Sequence, residues 1–126
     1  MNKEDNFKEK FKQALISTVR VISKDYQIYN NKKEKLNEQS LNIASLENIK
    51  DKNEFLKLRA ESDSEALKRK FSSKKIFEKN MPTKPSCRSL YNFSEKIRYE
   101  LLGTKMLKGI SQNFYENYRN KLNKAK

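Results

Sequence analysis

Three places in this 126-residue chain gather side chains that could do chemistry. The segment Glu61-Ser62-Asp63-Ser64-Glu65 offers carboxylate and hydroxyl oxygens, the ligands a hard cation such as magnesium selects. A metal-ion adhesion site, however, needs Asp-x-Ser-x-Ser at a strand end. Here Asp63 is followed by Ser64 and then Glu65-Ala66-Leu67, in a run of helical periodicity. An exposed helical face is the expectation. Glu95, Arg98 and Glu100 form an acid pair about a base. Three apart on a helix, Glu95 and Arg98 pair at the surface, worth roughly a few tenths of a kcal/mol. Glu100 points elsewhere, which argues against shared general acid and base work. Cys87, in the loop near Lys84 and Arg88, is expected to be an ordinary thiol, because the chain has no histidine to take its proton.

The missing residue types are as informative. Zero histidines and one cysteine rule out the usual Cys and His zinc sets and a serine triad. The two glycines, Gly103 and Gly109, are too few for a phosphate-cradling loop. Catalytic, cofactor-binding and metal-ligating residues are therefore all expected to be absent. A lone cysteine makes no internal disulfide, and no amino-terminal run reads as a signal peptide, so a cytoplasmic location is expected. Apolar runs such as Ala14-Leu15-Ile16 fall far short of the roughly 20 residues of a membrane span.

Charge points to partners. The formal net charge is +13, but 23 of the 29 cations are Lys and only 6 are Arg, whereas specific phosphate recognition leans on guanidinium. With 14 Asn as well, the lysine excess is what an AT-rich coding sequence produces. Tyr91, Phe114, Tyr115 and Tyr118 lie near Lys and Arg, so a small basic helical nucleic-acid-binding protein is the alternative reading. The cations are dispersed, and no helix-turn-helix spacing is visible.

The elements that must position these groups read as all-α. Phe7, Phe11, Ala14, Leu15, Thr18, Val19 and Ile22 recur at helical steps behind Asp5 as cap, with Lys8, Lys12, Arg20 and Lys24 opposite. Residues 30–50 read as an irregular connector, with a turn at Asn30-Asn31-Lys32-Lys33 and a short strand possible around Gln27 to Asn30. Tyr26, Ile28 and Leu36 are candidates to pin it, and Leu41, Ile43, Leu46 and Ile49 recur irregularly. A middle helix starts at Asp51 or Asn53, carries Phe55, Leu58, Ser62, Ala66 and Leu67, and ends near Phe71-Ser72-Ser73. A short piece with Ile76 and Phe77 leads into the break Met81-Pro82-Thr83-Lys84-Pro85. Leu90, Phe93, Ile97, Leu101, Thr104, Leu107, Ile110, Phe114 and Tyr118 then mark one long helix or two nearly collinear ones. Each glycine there costs roughly 1 kcal/mol relative to alanine, which close packing, a helix break or a partner surface could offset. Leu, Ile, Val and Phe total only 29 residues, so a single thin-cored domain over 1–126 is expected, one that gains from a partner.

Several of these residues also coincide in order with a known pattern. Asp63-Ser64 with Ala66-Leu67, then Pro82, Arg88, Glu95, Arg98, Glu100, Gly103, Gly109 and Gln112-Asn113 need no gap between Ser64 and Asn113. This run, Glu61 to Asn113, resembles the amino-terminal domain of CobT, a cobaltochelatase subunit of aerobic cobalamin biosynthesis. Phe11-Lys12-Gln13-Ala14-Leu15 through Thr18-Val19-Arg20-Val21-Ile22 resembles its opening helix, while residues 30 to 50 match poorly, so about two thirds of the chain carries the likeness.

The resemblance implies an adaptor in a machine that inserts Co(II) into hydrogenobyrinic acid a,c-diamide. Its partners would be a AAA+ ATPase subunit and a large corrinoid-binding subunit within a hetero-oligomer. ATP, Mg and Co(II) are expected in the complex and none of them on this chain. Arg98, Glu100, Gly103, Gly109 and Asn113 are the expected partner contacts. Full members carry an acidic linker and a carboxy-terminal von Willebrand A domain; neither lies within 1–126, so the chain is expected to be a fragment, a separately encoded half or a shortened relative.

Overall fold

The computed structural model describes residues 2–25 and 49–126, and the backbone of 29–30 and 40–41. The architecture is all-α, with helices α1 (Lys3–Ser23), α2 (Lys52–Phe71), α3 (Lys74–Lys79), α4 (Pro85–Met106) and α5 (Lys108–Ala125). Two-residue strands β1 (Tyr29–Asn30) and β2 (Ser40–Leu41) pair in parallel, Tyr29 opposite Ser40. Strand β1 falls where the sequence allows one; Tyr26, Ile28, Leu36, Ile43 and Leu46 lie outside the described residues, as does the turn at 31–33.

Helix α2 is the centre: α1 packs on it from one side, and α4 and α5 pack on it and on each other. Asp51 caps its start as expected, accepting from the Glu54 backbone N–H at 2.9 Å, while Asn53 lies inside the helix. Leu58, Ala60, Ala66 and Leu67 join Leu15, Ile16, Val19 and Ile22 of α1, Tyr99 of α4, and Ile110 and Phe114 of α5 in one core. Phe55 closes its end edge-on to Phe11, ring centroids 5.0 Å apart.

Three expectations change. Helix α1 starts at Lys3, so Asp5 sits in its first turn, where a negative charge favours the helix dipole, and is not the cap. Its buried face takes in Ile16 and leaves Ala14 and Thr18 exposed, with Lys8, Lys12 and Arg20 half-buried rather than opposite. Long lysine and arginine stems can cover apolar surface with their charges still in water, so they do not mark an outer face. Pro85 opens α4 at its first position, where its missing N–H costs nothing, and this draws Cys87 from the loop into the first turn.

The carboxy-terminal stripe is not collinear. Leu107 is extended (φ −138°, ψ 121°) and separates α4 from α5. Tyr118 nevertheless bonds to Glu100 at 2.6 Å, whereas one straight helix would hold residues eighteen apart about 27 Å apart. Helix α5 therefore folds back on α4. The bonds Asp63–Asn113 and Asn53–Asn120 set it antiparallel to α2.

Candidate functional site

The chemistry-bearing residues converge on the seam where α2, α4 and α5 meet. Helix α2 keeps an outer face, with Lys57, Arg59, Glu61 and Lys68 exposed, but Ser62, Asp63 and Ser64 lie on the sides its neighbours cover and are all buried. The exposed face expected for 61–65 is thus corrected at its three middle positions. Each finds a partner, as buried polar groups must. The Ser62 hydroxyl donates to the Leu58 carbonyl at 2.8 Å. Asp63 accepts from the Asn113 amide at 2.7 Å. Ser64 donates to Glu100 at 2.6 Å, and Tyr118 donates to the other oxygen of the same carboxyl at 2.6 Å. One carboxyl group thereby joins three helices, with Lys96 Nζ 3.9 Å away.

A second tie closes the end of α2. Arg98 forks onto Glu95 through Nε (2.8 Å) and a terminal nitrogen (2.7 Å), and donates to the Phe71 carbonyl at 2.7 Å. Ser72 donates to the same Glu95 at 2.6 Å. The Glu95–Arg98 pair is borne out, and it also satisfies a carbonyl left over at a helix terminus.

Burial and bonding set the titration of these groups. Burial lifts Asp63 above the usual aspartate value, against the opposing pull of the Asn113 amide and the Arg59 charge. Burial, then the bond to Glu100, holds the Tyr118 phenol well above an ordinary tyrosine, and burial raises Tyr99. The Arg98 fork lowers Glu95, with burial opposing it.

The five residues expected to contact partners fall into two groups. Glu100, Gly103 and Asn113 are buried against their own chain, while Arg98 and Gly109 are exposed. Gly103 is a close-packing position: a Cβ there would lie 2.2 Å from Leu67 Cδ1, 2.5 Å from Cδ2 and 2.9 Å from Cγ. A Cβ on Gly109 would meet nothing within 4 Å, and this glycine sits in the first turn of α5, just past the break. Sequence reasoning missed Asp63, Ser64 and Tyr118 as parts of the seam. The ordered run holding Asp63-Ser64 was a signal for two of them, and Tyr118 carried none beyond its place on an apolar stripe.

Chemically, the seam binds helices. Among the described residues no three His, Cys, Asp or Glu side chains are grouped to hold a metal ion. No described helix is long and apolar enough to cross a membrane.

No curated protein and no solved structure matches the chain. The family model of cobalamin biosynthesis protein CobT does match, over residues 5–126, which takes in the connector that carries little likeness residue by residue. With essentially its whole length covered, the chain belongs to the CobT family and so to the cobaltochelatase step of cobalamin biosynthesis.

Proposed function

We propose that this chain is a non-catalytic docking domain of the cobaltochelatase, holding the AAA+ ATPase subunit and the large corrinoid-binding subunit in working relation. One contrast carries the reading. Polar side chains able to do chemistry are bonded to one another inside the bundle, while large apolar ones, including Leu90, Phe93 and Leu101, stand outside it. Contiguous exposed apolar surface in a water-soluble chain marks a place that something covers. In this reading ATP hydrolysis and Co(II) insertion belong to the partner subunits, and the chain contributes geometry. The purified chain is expected to co-elute with the ATPase subunit at low salt with nucleotide present. Separate elution, from that subunit and from the corrinoid-binding one, would sink the proposal.

The nucleic-acid alternative loses support from the aromatic placement. Phe114 is in the core, Tyr91 stacks on Phe77 at 4.6 Å, and Tyr118 is bonded to Glu100, so of the four only Tyr115 is both exposed and without such a tie. Tight oligonucleotide binding at about 150 mM salt with a steep salt slope would restore it.

A further inference from the structure

Helix α4 turns its apolar stripe outward. Leu90 is 66% exposed, Phe93 58%, Ile97 42% and Leu101 56%, at steps of three and four along one side, while the opposite side buries Tyr99 and Gly103. From Leu90 to Leu101 this face runs about 16 Å, or three turns, the span a short helix covers when it lies alongside. The carboxy-terminal part of the chain that carries this face is mostly positive. Residues 74–126 hold 13 Lys and Arg against 4 Asp and Glu. Three of those acids, Glu95, Glu100 and Glu116, are hydrogen-bonded within the chain. Lys84 caps one end of α4 and Lys105 lies one turn beyond Leu101, both exposed.

We propose that the outer face of α4 is the docking site for an acidic amphipathic helix of a partner protein. The proposal rests on the docking reading above and names its surface and the chemistry that fits it. An acidic helix meets both features at once, its apolar edge on the stripe and its carboxylates among the lysines. A second copy of this chain would bring two fields of charge +13 together over the same stripe, which disfavours self-association. Nucleic acid could stack a base on Phe93, but it offers Leu90, Ile97 and Leu101 little apolar surface to bury against.

A labelled synthetic helix with leucines at helical steps and glutamates elsewhere, titrated with the full chain and followed by fluorescence anisotropy, tests this. A copy with lysines for glutamates serves as control. The acidic peptide should bind saturably, more tightly at low salt, and the basic one should not bind. The Phe93→Ser/Ile97→Ser variant should weaken binding at least roughly tenfold. Both positions are exposed, and unchanged circular dichroism would show that the variant folds. The proposal is overturned if the acidic peptide does not bind, if the variant or the basic peptide binds equally well, if only phosphatidylserine vesicles bind, or if the face instead drives dimerisation in sedimentation. Loss of the docking reading would look different. The wild-type chain would then elute apart from the chelatase subunits, whereas co-elution retained by the variant keeps that reading and removes this face.

Discussion

Replacing Gly103 by alanine adds one methyl group where α4 crosses α2, and its effect can be worked from the contact. Carbon atoms rest about 3.5–4.0 Å apart. A Cβ placed 2.2 Å from Leu67 Cδ1, 2.5 Å from Cδ2 and 2.9 Å from Cγ therefore forces Leu67 back by about an ångström or more. Leu67 has nowhere to go, since its side chain has no solvent exposure and is among the largest so enclosed. Overpacking of this kind costs about 1–3 kcal/mol, and the upper half of that range applies where neither side can yield. Alanine's helix preference returns about 1 kcal/mol. A net loss of about 1–2 kcal/mol is expected, read from urea unfolding followed by far-ultraviolet circular dichroism. Leu67→Ala alone should cost about 2–5 kcal/mol. Because it also removes the obstructing atoms, the double variant should be more stable than the sum of the single losses implies. A Gly103→Ala chain at least as stable as wild type, or strict additivity with Leu67→Ala, would refute the packing argument.

The other predictions follow from the same seam. Gly109→Ala, with open space around its Cβ, should stabilise the fold by up to about 1 kcal/mol in the same assay, the opposite sign to Gly103. Tyr118→Phe removes a bond to Glu100; hydrogen bonds to charged groups are worth about 1.5–3 kcal/mol, and partial exposure of Tyr118 brings the expected loss to about 1–2 kcal/mol. Asp63 carries a raised folded value, so its stabilising share is full below the unfolded value near 3.8 and is lost as pH rises through the folded one. Unfolding free energies of Asp63→Asn and wild type, measured from about pH 4 to pH 7, should therefore shift in the variant's favour as pH rises, and a difference flat with pH would contradict the burial of that carboxyl.

The middle helix was legible almost to the residue, since Asp51 supplies the cap and Ser72 an extended stop, both local signals. What failed was the choice of face. On α4, periodicity finds an apolar stripe but not which side meets the core; Tyr99, Glu100 and Gly103 look less apolar than Leu90 or Phe93, yet they are the ones inside. Asp63 and Ser64 carry no local mark of being enclosed, because their partners lie 50 and 36 positions away. A break near the two glycines is among the readings of the sequence, but its place at Leu107 and its sharpness are not marked, since neither glycine nor proline occupies that position and the stripe continues across it unbroken.

The carboxyl group shared by Ser64 and Tyr118 also acts as a register pin. If α5 slipped by a single position along its neighbours, Asn113 would leave Asp63 just as Tyr118 left Glu100, so one buried acid would lose its amide partner and the other would keep only Ser64. Small sliding motions between the helices are thereby suppressed. The bundle should therefore move as one stiff unit, and in hydrogen exchange α2 and α5 should open together rather than one after the other.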